Sequence, residues 1–245
     1  MRPDGPVRPK LSPKKSRDSI ARVEREVIAC RRCPRLVAWR ELSAANPPKR
    51  FRGESYWGRP IPAFGDGNAR ILIVGLAPAA NGGNRTGRMF TGDESGNFLF
   101  RALHEAGLAN QPESRHRGDG LKLRGALISA ACRCAPPANR PLPQELENCR
   151  EYIEREAALL PRDLVMVALG GLAFATCLRI LADAGEEIPR PRPKFAHGAE
   201  YRIGRRTVVA TYHPSQQNTF TGKLTPGMLR DVLKRAVRLA GAGRR

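Results

Sequence analysis

Acidic residues are scarce. Only 23 Asp and Glu stand against 43 Lys and Arg in 245 residues, a formal net charge of +20 at pH 7. That excess excludes a balanced surface and calls for a polyanionic partner, nucleic acid first. Lys49-Arg50-Phe51-Arg52, Arg115-His116-Arg117 and Arg202 to Arg206 spread the charge along the chain, so it is not confined to a tail. Long apolar runs are missing too. No stretch of eighteen apolar residues occurs, and the first twenty residues have no apolar core of the signal-peptide kind, so the expectation is a cytoplasmic protein with no membrane partner. Six cysteines (Cys30, Cys33, Cys132, Cys134, Cys149, Cys177) in a reducing compartment are poor candidates for disulfides, which leaves a metal or cluster site for any grouped subset. There is no internal repeat, and neither the dinucleotide fingerprint nor the P-loop is present.

The length suits one sizeable domain. Residues 1 to 18, rich in Pro, Lys and Arg and without periodicity, read as a disordered basic arm, and residues 19 to 245 as a single domain. A short helix is expected from Ser19 to Ile28, and residues 45 to 68, with four prolines and several aromatics, form an irregular segment packed on the domain. From residue 70 the pattern is regular. Strands expected at 71–74, 126–131, 164–169 and 207–211 alternate with helices at 96–106, 143–158, 171–184 and 225–240. Continuous apolar strands separated by helices predict a three-layer α/β/α fold around a central, mainly parallel four-stranded sheet.

The unusual chemistry falls in the loops that leave the strands. Residues 75–93 join a buried strand to a helix; Gly75, Gly82, Gly83 and Gly87 allow close backbone approach, Arg85 and Arg88 add positive charge, and Phe90 adds a flat apolar face. A generic anion-binding turn is the plainer reading. Cys30 and Cys33 form a C-x2-C pair and Cys134 and Cys149 a C-x14-C pair, together four thiolates, enough for tetrahedral zinc or a [4Fe-4S] cluster, and spacing does not separate the two. Cys132 competes as a ligand, while Cys177, in an apolar helix, reads as a core thiol. A lone histidine at a strand end, as His213 is, more often satisfies a structural hydrogen bond than catalyses.

Three segments carry a resemblance. Gly75-Leu76-Ala77-Pro78-Ala79, the stretch from Cys134 through Asn139 to Cys149, and His213-Pro214-Ser215 are similar, in order, to the motifs of family 5 uracil-DNA glycosylases, over about residues 25 to 240. The resemblance implies an intracellular, nucleoid-associated, monomeric DNA repair glycosylase whose partner is double-stranded DNA containing uracil or other deaminated bases. It also implies a structural [4Fe-4S] cluster on Cys30, Cys33, Cys134 and Cys149. On this reading Phe90, Gly75, Leu76, Ala77 and Ala79 bind the flipped base, Arg85, Arg88, Ser215, Gln216 and Gln217 touch DNA, and His213 donates to the leaving base.

The residue after Pro78 is Ala79, so no side chain there orients water. Asp93 is the candidate to stabilise the sugar cation and hold water, or else it caps the following helix. Asn139 and Asn218 match positions implicated in the site. No lysine suggests a Schiff base, so strand cleavage is not expected. With Ala79 small, rejection of bases other than uracil is expected to be loose. Two alternatives from other classes stand beside this one: a non-catalytic iron-sulfur DNA-binding or redox-sensing protein of the same fold, and a zinc-stabilised nucleic-acid-binding module.

Overall fold

Short runs of aliphatic and β-branched residues build the centre of the molecule. The computed structural model describes residues 18–242. One sheet contains β1 (Phe64–Gly65), β2 (Ile71–Gly75), β3 (Ala126–Ala130), β4 (Val165–Leu169), β5 (Glu200–Ile203) and β6 (Arg206–Thr211), in the order β1-β3-β2-β4-β6-β5. The helices are α1 (Ile20–Ile28), α2 (Pro34–Ala45), α3 (Gly83–Thr86), α4 (Glu94–Glu105), α5 (Pro143–Leu159), α6 (Gly171–Asp183), α7 (Gln216–Phe220) and α8 (Pro226–Ala242). No helix among the described residues is long and apolar enough to cross a membrane.

The four expected strands are present and parallel: β2 pairs with β3 and β4, and β4 with β6. The expected four-stranded sheet is extended by an antiparallel strand at each edge, β1 on β3 and β5 on β6. Their omission from the sequence reading has a physical cause. β1 is two residues long, and β5 alternates exposed Glu200 and Arg202 with half-buried Tyr201, the charged, short pattern of an edge strand. A second boundary also moves. Asp18, expected to end the basic arm, pairs with Arg155 of α5 at 2.9 Å and belongs to the folded domain, while the rest of that expected arm lies outside the described residues.

Alternate strand residues face opposite layers. Ile71, Ile73, Ile128, Val167 and Val209 pack against Leu99, Phe100 and Leu103 of α4 and Leu229 and Leu233 of α8. Leu72, Val74, Leu127, Met166 and Val208 pack against Ile153 of α5 and Phe174, Cys177 and Leu181 of α6, where Cys177 is fully buried. The chain therefore leaves β2 and β6 toward one face and β3 and β4 toward the other. Neighbouring strands in the order β3-β2-β4-β6 diverge, and a crevice opens at their C-terminal ends.

Candidate active site

That crevice holds a cavity of about 870 Å³. Most of its lining comes from three strand exits: Gly75 to Gly82, Met89, Phe90 and Gly92 to Ser95 after β2, Ala130 and Asn139 from the β3 exit, and His213 with Ser215 to Gln217 after β6. Every residue expected to contact the base (Phe90, Gly75, Leu76, Ala77, Ala79) lines it. Phe90 holds φ 52°, and Ala138 and Asn139 hold 51° and 55°. These are the three non-glycine residues with positive φ among those described, and they lie on the two loops that meet at this cavity, as backbone strain at functional sites commonly does.

Glycine sets the shape of the β2 exit. A Cβ at Gly75 would stand 2.9 Å from Cζ of Phe90, and one at Gly82 would collide with Oδ2 of Asp93. Asp93 is the N-cap of α4, its Oδ1 accepting from the Gly96 amide at 2.8 Å. Its two oxygens are thus divided, Oδ1 on the helix and Oδ2 toward Gly82 and the cavity. Burial is the main influence on its carboxyl and raises the pKa, against the lowering effect of the Gly96 amide. Gly82→Ala is expected to displace this carboxylate and cost any activity of the cavity about as much as removing the acid, with the fold retained. Single-turnover rates alongside a circular dichroism melt check both halves.

His213 faces Phe90 across the cavity, with ring centroids 6.0 Å apart and planes tilted by 37°. Gly170, at φ 96°, ends β4 without a side chain, and a Cβ there would come within 3.3 Å of that of His213. Burial pushes the His213 pKa down to about 4, so the imidazole is neutral at physiological pH.

Three expected contacts are corrected. Asn218 does not line the cavity; its Nδ2 donates to the His213 carbonyl at 2.9 Å and holds the His213 loop from behind. Arg85 is 12% exposed and fully engaged: Nε donates to the Asn81 carbonyl, one terminal nitrogen to Glu54 and the other to the Gly92 carbonyl, and its guanidinium lies 4.0 Å from the Phe51 ring centre. Arg88 is 3% exposed and doubly bonded to Asp119 at 2.6 and 2.9 Å, with further bonds to Thr91 and Ser114. Both arginines fasten loops, so neither is free to bind phosphate. Arg50 and Phe51 line the cavity instead, and the signal for them was the basic run 49–52 inside an aromatic segment.

Asn81 also lines the cavity, with its Oδ1 accepting from the Tyr56 hydroxyl at 3.0 Å. The amide is thereby oriented with its N–H2 as the free end.

Beside the cavity lie the cysteines. Cys30, Cys33, Cys134 and Cys149 line one small internal void together with Arg40 and Arg133, whereas Cys132 does not line it and its Sγ contacts the Cys134 carbonyl. Arg40 Nη1 donates to Cys134 Sγ at 3.0 Å and the Arg133 amide to Cys149 Sγ at 3.4 Å. Both arginines are almost completely buried, and Arg40 Nε and Arg133 Nε and Nη1 have no hydrogen-bond partner. Buried donors of this kind call for an acceptor. Among the described residues no three His, Cys, Asp or Glu side chains gather closely enough for a single metal ion.

Comparison with known proteins places this arrangement. The family described as "Uracil DNA glycosylase superfamily" matches residues 62–236. A type-5 uracil-DNA glycosylase of Thermus thermophilus is 53% identical over 216 residues, 88% of this chain and 95% of that one. A type-5 enzyme of Pyrobaculum aerophilum is 47% identical over 88% of this chain and 91% of its own, and a type-4 uracil-DNA glycosylase of Sulfurisphaera tokodaii is 26% identical over 81% and 75%. The chain belongs to the uracil DNA glycosylase superfamily and, within it, to the type-5 family.

Proposed function

We propose that the protein is a monofunctional uracil-DNA glycosylase that takes a deaminated base out of duplex DNA and hydrolyses its N-glycosidic bond, leaving an abasic site. The observation that carries this reading is the convergence of the Asp93 carboxylate, the His213 ring and the Phe90 face on one cavity. The base must leave the stack to be reached, at a cost of roughly a few kcal/mol that is least at a mismatch. Phe90 offers it a stacking surface.

As the C1′–N1 bond breaks, negative charge grows on the base and positive charge on the sugar. Neutral His213 donates a hydrogen bond to the departing base, a stronger aid to the anion in a desolvated site than in water. On this reading the buried Asp93 carboxylate stabilises the cation and holds the attacking water. The test is a labelled duplex with one U·G pair: strand breaks that appear only after alkali support a monofunctional glycosylase, and an intact strand under the same treatment opposes it.

Substrate breadth belongs to the same proposal. Ala79 is small and offers no polar group that a wrong base would leave unpaired, so hypoxanthine is expected to be excised besides uracil. Strict preference for uracil in a duplex base panel would count against this.

We also infer a [4Fe-4S] cluster on Cys30, Cys33, Cys134 and Cys149. Support comes from the shared void and the unpartnered Arg40 and Arg133 nitrogens around it. The group would supply a rigid, anionic anchor and take no part in the hydrolysis. Arg40 links it to the active site, because its carbonyl accepts from Asn84 of α3 at 3.1 Å. Purified protein is expected to show broad absorbance near about 400 nm that bleaches on reduction, retained in Cys132→Ala and lost in Cys134→Ala. A colourless protein containing zinc would refute it.

A further inference from the structure

The buried Arg88–Asp119 pair raises a question that the hydrolysis does not answer. Its place in the fold suggests one. After α4 the chain does not go straight to β3. It makes an excursion from Ala109 to Leu123, paired at its base through the Ala109–Leu123 bridge and the Asn110 amide bonded to the Lys122 carbonyl. The excursion starts near the far end of α4 and returns to the rim of the cavity, where the Gly92 amide donates to the Ser114 carbonyl at 3.2 Å and Thr91 Oγ1 meets Ser114 Oγ at 2.6 Å. Gly92 lines the cavity.

At its tip are Arg115, His116 and Arg117, all exposed. Asp119 organises that tip: its carboxylate accepts from the amides of Arg115, His116 and Leu121 and receives the doubly bonded Arg88 guanidinium. Burial pushes its carboxyl up, but Arg88 and the three amides outweigh that and hold it well below the usual carboxylate range. Arg117 is laid over the Trp57 ring at 4.4 Å, and Cδ of Arg117 and the Trp57 ring together pack against Gly87. Arg115 is paired only with exposed Glu113, at 2.5 Å and with 74% and 58% of the two side chains exposed, which makes the pair easily exchanged for a phosphate.

We propose that this tip is a phosphate clamp for the DNA backbone flanking the extruded base. Arg115 and Arg117 make the contacts, and Arg88 with Asp119 acts as the positioning pair that fixes their distance from the cavity. The proposal rests on the chain acting on DNA and names the surface by which it does so. DNA is the occupant favoured by the +20 charge and by the continuity of the loop with the cavity rim.

The test is equilibrium binding of the full chain to an undamaged duplex across a salt series. R115A/R117A should bind about tenfold or more weakly and lose roughly 1.8 from the slope of log affinity against log salt, about 0.9 for each phosphate contact. R124A/R162A removes the same charge from exposed residues just before β3 and β4, at the opposite end of the sheet, and should keep the original slope. Asp119→Asn gives the sharper result: it makes the protein more positive, yet should weaken DNA binding because the tip loses its organising carboxylate.

Equal affinity and slope for R115A/R117A and R124A/R162A would overturn the clamp, as would tighter binding by a folded Asp119→Asn. Excision measured on the same preparations separates the two readings. Excision with an unchanged slope removes the clamp alone. A slope effect without excision leaves the clamp and removes the glycosylase.

Discussion

Asp93→Asn is expected to cut the single-turnover rate of excision about a hundredfold to a thousandfold, the usual consequence of removing a preorganised electrostatic group from a transition state. The folded protein should lose nothing, and the linkage says why. Burial raises the carboxyl pKa of Asp93 above its unfolded value. A group shifted that way contributes stability that is fully present below its unfolded pKa and lost as pH rises through the folded one. At neutral pH the ionised carboxylate is therefore held at a cost, and Asn removes it. Asn is as good an N-cap as Asp, so the bond to the Gly96 amide survives in kind. Asp93→Ala separates the roles: the rate should fall as far, and about 1 kcal/mol of stability should go with the cap. If the residue acts as a cap and nothing more, Asn restores full activity, and a thermal melt beside the rate measurement shows which holds.

His213→Ala should cost about a hundredfold or more in the same rate, with His213→Gln recovering part of it because Gln retains an N–H donor. The pH dependence is the more specific test. With its pKa at about 4, His213 is neutral across the working range, so excision should show no break near the ordinary histidine value of about 6.5. Any acid limb belongs to Asp93, whose carboxyl titrates above its usual range, and Asp93→Asn should flatten it. Stability runs the other way for the histidine. A lowered folded pKa gives stability that is present above the unfolded pKa of about 6.5 and lost as pH falls toward 4. The unaltered protein should lose part of its stability over that interval, and His213→Gln should lose less. A rate break near 6.5 that disappears in His213→Gln would show that the imidazolium forms in the working enzyme and overturn the neutral-donor role.

Much of the architecture could be read from patterning alone. Runs such as Ile71-Leu72-Ile73-Val74 and Val165-Met166-Val167-Ala168 are apolar on both faces, which only a covered parallel strand requires, and the intervening helices declare themselves by period and by caps such as Asp93 and Pro143. Helix α2 was less legible. Its apolar residues do not gather on one face, and it is fixed by Leu36 under the cysteines and by Arg40 buried among them.

The sequence determined the chemical inventory: the acid, the imidazole, the aromatic face, the four cysteines and the excess of positive charge, with strand exits that bring the first three to one edge. Motif order and spacing sufficed because they are properties of a single loop each. Tertiary structure alone decided which arginines are free. Arg85 and Arg88 sit in the most active-looking stretch of the chain and are consumed by Glu54 and Asp119, one 31 residues before and the other 31 residues after them, whereas Arg115 and Arg117, in a basic run far from the motifs in sequence, reach solvent on a loop whose Ser114 meets the cavity-lining Gly92. A charge is available to DNA when it reaches solvent and any carboxylate beside it is exposed enough to be exchanged, and which charges are buried against a carboxylate is set by how distant loops pack.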